Sequence, residues 1–248
     1  MSGADWRRKQ ENALNTFHHA SLLLALLLLV MVAAFWKSYL AMLNDFPERL
    51  TWTLHVHGVL TAGWLAMLSA QAWFVRSGRM RLHRLVGRSS YVYVPMTILS
   101  GVVTMRGALM RAADGVTAEL ARDAIFQHMM LVSLAITWGL AIAYRRQPVL
   151  HIRFMVSTAF AIGTAIFFRI FFFWVPSFST FDAAAHGNFA VLSVALVALI
   201  ANDWRLGVRR SPFWVVGILI GVLYLCYREV APMEMWIGYC DWLAGNAV

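Results

Sequence analysis

Seven long apolar stretches, separated by short polar segments, constrain this chain more than any other feature of its sequence. Each is long enough to cross about 30 Å of hydrocarbon as a helix. Lipid offers no partner to an unpaired peptide group, so each span should be helical. The sequence therefore predicts an all-α integral membrane protein, a single transmembrane domain over residues 1–248. Its seven predicted spans cover residues 17–40, 51–75, 84–106, 124–144, 151–175, 186–203 and 212–230.

The composition excludes a water-soluble fold. Hydrophobic residues make up 60% of the chain and charged residues 13%, whereas soluble domains have about 45–50% and about 25%. A bilayer accommodates this excess because lipid tails accept apolar side chains on every face of a helix. The net charge of +9 lies mostly in short loops, where it is typical of topology signals and of contacts with lipid head groups. These features predict membrane lipid, and no nucleic acid, as a partner.

The basic residues also predict the orientation of the chain. With the N-terminus in the cytoplasm, fourteen of the 21 lysine and arginine residues fall on the cytoplasmic side, as the positive-inside rule requires. Seven spans then place the C-terminus outside, in a multi-pass protein of the cell inner (plasma) membrane. The tail from Pro232 to Val248 is too short to span and should lie on the outer leaflet. The fourteen residues are Arg7, Arg8, Lys9, Arg76, Arg79, Arg81, Arg84, Arg88, Arg145, Arg146, Arg153, Arg205, Arg209 and Arg210.

Histidines occur on four consecutive spans, at alternating ends. His57 and His128 lie near the outer ends of the second and fourth spans. His83 and His151 lie at the inner ends of the third and fifth spans. Two imidazoles from different helices can bind one haem iron from opposite faces, so the pattern predicts an outer and an inner pair. Histidine is also common at membrane interfaces, and successive helix N-termini alternate sides in any chain of this kind.

The stretch from His55 to Met105, with LHRLVG at its centre, resembles the transmembrane di-haem cytochrome b family, which includes ascorbate-dependent ferric reductases. It is also similar to a broader set of bacterial membrane proteins that have no assigned function. The resemblance covers about residues 50–175. It implies a four-helix haem-binding core from helices 2–5, to which the spans 17–40, 186–203 and 212–230 are additions.

The resemblance implies one or two haem b groups. His57 and His128 would be the outer ligands, and His83 and His151 the inner ligands. His55 lies two residues from His57 and points to another side of the helix, so either could be the outer ligand, and His57 is favoured because it is deeper. The long interval from His83 to His128 and the short one from His128 to His151 depart from the family pattern, as does the seventh helix.

Two arginines are further candidates for cofactor binding. Arg169 is the one charge well inside a span, and burying it in hydrocarbon is costly, so it should have a partner. That partner could be a haem propionate or Asp182, and snorkelling to the outer interface is the remaining alternative. Arg84 belongs to the basic cluster around His83, which is typical of topology but could also hold inner propionates or attract an anionic donor.

Three functions remain open from the sequence. The first is transmembrane electron transfer, from a cytoplasmic, quinol or ascorbate-like donor to an outer acceptor, as in a haem-dependent oxidoreductase; no catalytic residue is identifiable. The second is a zinc, iron or copper site in an outer cluster, although there is no HExxH motif. The third is a transporter, an accessory subunit of a larger complex or a homo-oligomer without enzymatic activity. The outer cluster would comprise His55, His57, His128 and His186.

Overall fold

A computed structural model of the protein describes residues 20–45, 51–112, 115–209 and 211–245, and the regular secondary structure of these ranges is entirely helical. Short 3-10 segments cover Leu40–Asp45 and Pro176–Phe178, and a π-helical turn, Cys226–Val230, extends the seventh helix. In chain order the α-helices are α1 (Ala20–Phe35), α2 (Trp52–Arg76), α3 (Met80–Leu109), α4 (Ala118–Ala143), α5 (Pro148–Trp174), α6 (Phe181–Arg205), α7 (Phe213–Leu225) and α8 (Glu234–Ala244).

The prediction of an all-α multi-pass membrane protein is confirmed. Six described helices are long and apolar enough to cross a membrane, namely α2 to α6 and α7 together with its π turn. Helix α1 is apolar but has 16 described residues. Residues 17–19 of the first predicted span lie outside the described part of the chain, as do Arg7, Arg8, Lys9 and Arg210 among the predicted cytoplasmic charges.

Threonines begin three of the spanning helices at the same end of the bundle. Thr51, Thr117 and Thr180 each accept a hydrogen bond from the backbone N–H three residues later, at 3.2–3.4 Å. Such caps satisfy peptide groups that the first helical turn leaves without a partner. At the opposite end, Pro148 occupies the first turn of α5, where the missing N–H costs nothing. We call the end with the three threonines the outer end, following the predicted orientation.

Helices α2 to α5 pack as a ring of neighbours, in which α2 contacts α3, α3 contacts α4, α4 contacts α5, and α5 returns to α2. This is the four-helix core expected from the sequence. Helix α1 lies against α2 and α5, and α6 and α7 cover the other side of α5. The short helix α8 packs on α3 and α4, and its 11 residues are too few to span, as predicted for the tail.

Trp64 joins three helices at the centre of the core. Its side chain on α2 is fully buried, its Nε1–H donates to Thr158 Oγ1 on α5 at 3.1 Å, and its ring stacks on Tyr93 of α3. Tyr93 in turn donates to the carbonyl of Leu60 at 2.9 Å. Tryptophan and tyrosine are tolerated in an apolar core when each polar tip finds a partner, as here.

Gly63 is required for this packing, and we expect Gly63→Ala to lower the free energy of unfolding by about 1–3 kcal/mol. A Cβ at this position would collide with the Tyr93 hydroxyl, and Tyr93 cannot move away without leaving Leu60 and Trp64. The measurement is thermal unfolding in detergent micelles. Gly58→Ala is the matched control on the same helix, because a Cβ there meets nothing within 4 Å; equal midpoints for the two variants would contradict the prediction.

One arginine of the predicted cytoplasmic set does more than mark topology. Arg153 is fully buried, and its guanidinium donates to both carboxylate oxygens of Asp203 at 2.6–2.9 Å. Ser211 Oγ also donates to this carboxylate, at 2.6 Å. This network joins the inner ends of α5 and α6 to the start of α7. The sequence-based interpretation of Arg153 as a loop charge missed this role, because its partner lies 50 residues away.

Candidate functional site

The structure brings His83 and His151 together at the inner end of the core. Each lies three residues after the first residue of its helix, α3 and α5 respectively. Their ring centroids are 6.5 Å apart and their planes are at 87°. An imidazole nitrogen binds a metal at about 2.0 Å, so two rings on opposite sides of one ion have centroids about 6 Å apart. T-shaped aromatic pairs have similar spacings, so the polar partners of the two rings also matter.

The ring of His151 is oriented by the end of α4. Its Nδ1 lies 2.8 Å from the carbonyl oxygen of Ala141. A carbonyl can only accept, so Nδ1 carries the proton and Nε2 keeps its lone pair. Histidines that bind metals almost always donate their other ring N–H to such a group, which fixes both the tautomer and the ring plane.

The partner of His83 is Gln71, a buried amide near the inner end of α2. The amide nitrogen donates to the carbonyl and to Nδ1 of His83, and the amide oxygen accepts from the N–H of Gly87 at 3.0 Å. Nδ1 of His83 therefore accepts, and the proton of the neutral ring lies on Nε2. A metal at Nε2 would have to displace this proton, so the Gln71 contact orients His83 without leaving a free lone pair at Nε2.

The surroundings of this pair are open and cationic. Gly87 follows His83 by one helical turn, and a Cβ there would approach only the Gln71 amide, at 3.9 Å. Arg84 is exposed and lies within electrostatic range of His83. A flat anionic group whose edge reaches the surface would therefore meet a positive rim. Gln71, His83 and His151 come from three different helices, so the site depends on the core being assembled.

The predicted outer pair is arranged differently. His57 Nδ1 lies 3.0 Å from Ser100 Oγ, which itself donates to the carbonyl of Thr97. The imidazole must then be the donor to Ser100. Its Nε2 is 3.5 Å from Thr61 Oγ1. A Cβ at Gly101 would contact both the His57 ring and the side chain of Leu131. Leu131 is therefore the α4 residue that lies beside His57 at this point.

His128 is engaged with the C-terminal helix. Its Nδ1 donates to the carbonyl of Ala124 at 2.8 Å, and its Nε2 lies 3.3 Å from the hydroxyl of Tyr239. The ring also packs edge-on against Trp236. With both nitrogens engaged, His128 as placed does not fit an iron shared with His57. The outer haem stays a prediction, and it requires the ring to leave Tyr239.

Arg169 contacts α1 and the preceding turn of its own helix. Its guanidinium lies over the ring of Phe35, 4.3 Å from the centroid, and donates to the carbonyl of Ala165 at 3.2 Å. Asp123 and His57 are within electrostatic range. Among the described residues no carboxylate lies within 4.0 Å of it.

Asp182, the partner weighed for Arg169 from the sequence, instead accepts from Arg122 at 3.4 Å and from the Tyr227 hydroxyl. The expected role of Arg169 beside a propionate is untested.

The remaining candidates of the outer cluster have separate partners. His55 Nδ1 is hydrogen-bonded to the Tyr39 hydroxyl, and its ring also contacts Trp52. His186 is exposed, and its Nδ1 donates to the carbonyl of Asp182 at 2.6 Å. Within the described ranges, no three histidine, cysteine, aspartate or glutamate side chains are grouped as a metal site would need. The non-haem zinc, iron or copper site also stays a prediction.

Sequence reasoning missed the groups that orient the histidines. Neither Gln71 nor Tyr239 was among the residues predicted to form a site. Gln71 lies five residues before the end of α2, and Tyr239 lies 111 residues after His128. A polar amide near the inner end of an apolar helix is a usable signal for Gln71. No sequence signal indicates that the tail folds back onto α4.

Comparisons with known proteins identify no relative. No family model matches the sequence, and no curated protein or solved structure is significantly similar to it.

Proposed function

We propose that this protein is a haem-binding electron carrier of the membrane, whose best-supported site is the His83–His151 pair. The observation that carries the proposal is two imidazoles from different helices, 6.5 Å apart and nearly perpendicular. This spacing is close to the about 6 Å expected for two imidazoles on opposite sides of one metal ion. The expectation of haem from the sequence resemblance supports the same two residues.

The polar partner of His151 supports ligation as well as packing. Ala141 fixes His151 with its Nε2 lone pair free. Gln71 orients His83 by donating to its Nδ1, so metal binding at Nε2 of His83 would displace the ring proton. Both rings thus have a polar partner at Nδ1, as histidines in metal sites commonly do. Holding the ligands in place before binding reduces the entropy that ligand ordering would cost.

Haem bound by two histidines supplies one-electron redox chemistry, whose potential depends on axial ligands, hydrogen bonds and burial. The chain's own residues set these conditions. Arg84 and the neighbouring basic side chains provide charge complementary to propionates and to an anionic donor such as an ascorbate-like molecule. His83 and His151 lie close to the ends of their helices, so the redox edge would be reachable from the inner surface by such a donor or by a quinol.

The first test is the absorption spectrum of the full-length protein purified from haem-replete cells. We expect a strong Soret band that shifts on reduction, with haem and iron in equal amounts. Near-perpendicular axial imidazoles should also give a highly anisotropic low-spin ferric signal in electron paramagnetic resonance, which reports the 87° angle. A folded, colourless preparation would overturn the proposal. Stoichiometric zinc or copper without haem would also overturn it, in favour of a simple metal site.

A further inference from the structure

The turn between α6 and α7 carries two tryptophans in contact at the inner end of the bundle. Trp204, near the end of α6, and Trp214, at the start of α7, have ring centroids 6.2 Å apart. The two side chains are 56% and 49% exposed. Neither indole N–H has a hydrogen-bond partner among the residues that the structure describes. Two large rings with unused donors therefore lie exposed at a membrane interface, where indoles prefer to be.

Two arginines lie between these tryptophans in sequence, and both lack a counter-charge. Arg205 is in the last turn of α6 and Arg209 lies beyond it, and both side chains are exposed. Within the described ranges, no carboxylate lies within 4.0 Å of either guanidinium. The nearest acidic residue in sequence, Asp203, is buried and already accepts from Arg153 and Ser211. The turn therefore presents two positive charges that the protein itself does not neutralise.

The backbone of this turn has a defined conformation. Gly207 has a φ of +80°, and its N–H donates to the carbonyl of Trp204 at 3.0 Å, while the N–H of Val208 donates to the carbonyl of Asp203 at 2.8 Å. Glycine ends helices in this way because it adopts a positive φ without strain. The Asp203 carboxylate also ties the helix end to α5 through Arg153. The turn is therefore held in place without any contribution from its exposed side chains.

Apolar side chains continue from the two tryptophans toward the middle of the membrane. On α6, Val197 lies two turns before Trp204 and is 64% exposed. On α7, Ile218 lies one turn after Trp214 and is 65% exposed. Residues at these spacings share a face of their helix. From the inner end, the exposed surface thus runs from arginine to indole to aliphatic side chain, which matches a molecule with an anionic head and long apolar chains.

We propose that the α6–α7 turn is a binding site for one anionic phospholipid of the inner leaflet. The guanidiniums of Arg205 and Arg209 bind the phosphate, since arginine can donate two parallel N–H groups to such oxygens. The indole N–H groups donate to the phosphate or to the ester carbonyls, and the acyl chains lie along Val197 and Ile218. A zwitterionic head group fits less well, because its cationic end would meet the same arginines. This site uses no histidine and no haem, and it stands apart from the proposed function.

The test is native mass spectrometry of the delipidated full-length protein in detergent, titrated with phosphatidylglycerol or phosphatidylcholine. We expect one phosphatidylglycerol to bind more tightly than any phosphatidylcholine. Arg205→Gln with Arg209→Gln should raise its Kd by at least about tenfold, because hydrogen bonds to a charged group are lost. Arg145→Gln with Arg146→Gln is the matched control, since it removes the same charge from exposed residues of the turn between α4 and α5. It should change the Kd by less than about twofold, as a screened charge at a distance does.

Brominated phosphatidylglycerol shows where the lipid lies, because bromine quenches the fluorescence of a tryptophan that it contacts. One equivalent should quench a part of the emission that is missing in Trp204→Phe with Trp214→Phe. Thermal unfolding checks that each variant is folded, as expected for exposed positions. Equal loss of binding in the two arginine double variants would overturn the site, because net charge alone would then explain the affinity. Equal binding of phosphatidylcholine, or displacement of the lipid by inorganic phosphate, would overturn it as well.

Discussion

Asp203→Asn will lower the free energy of unfolding by about 3–5 kcal/mol, because it leaves a buried arginine without its counter-charge. Arg153 has no exposed surface and Asp203 has 1%. The guanidinium carries a positive charge. Asparagine can still accept a hydrogen bond, but it cannot neutralise that charge. Removing one partner of a buried ion pair is more destabilising than replacing both partners with apolar residues.

The second half of the prediction follows from the same physics. Replacing both partners with apolar residues of similar volume, as in the double variant Arg153→Met with Asp203→Leu, should recover most of the loss. Ser211 would lose its acceptor, so Ser211→Ala is added to keep the site free of an unsatisfied hydroxyl. Recovery in the combined variant would show that the single change acts through the uncompensated charge.

Thermal unfolding in detergent measures these differences, and a double-mutant cycle isolates the coupling between the two side chains. Glu229→Gln is the control, because it neutralises an exposed carboxylate at the outer end and should change stability by no more than about 0.5 kcal/mol. The prediction fails if Asp203→Asn and Glu229→Gln unfold at the same temperature.

The membrane helices were predictable because apolar length is a local property. The predicted spans 51–75 and 151–175 differ from α2 and α5 by at most three residues at either end. The start of α3 at Met80, before the predicted 84, was not predictable from hydropathy, because Arg81 and Arg84 are charged yet helical. Their side chains are exposed at the inner end, where a helix can continue beyond the hydrocarbon.

Pairing across helices was much harder to predict. The spacing of histidines predicted an outer and an inner pair equally. In the structure the two inner histidines lie together, whereas His128 is hydrogen-bonded to Tyr239. The difference arises from rotation about each helix axis, which depends on packing against all neighbours and on a C-terminal helix far away in sequence. Arg153 was missed for the same reason, since a buried and a loop arginine look alike in a sequence.

His83→Ala and His151→Ala will each remove most of the Soret absorbance of the purified protein, by at least about tenfold if the inner site is the only one filled. Either change leaves the iron with one protein ligand. His186→Ala is the control, because this exposed histidine donates to a carbonyl in the first turn of its own helix and should not alter the spectrum. Equal absorbance in His83→Ala and His186→Ala would exclude the inner site.

The outer histidines make this experiment quantitative. If His57 and His128 bind no haem, alanine at either position leaves absorbance unchanged; if they bind a second haem, each removes about half. A His151→Gly variant offers a further check, since free imidazole can enter the space left and replace the missing ligand, restoring the spectrum without restoring any packing by the chain. We expect imidazole to rescue the spectrum in this variant but not in His83→Ala, where the alanine methyl group remains. Such a result would show that these two rings act by coordination, and that their loss does not act through a general loss of fold.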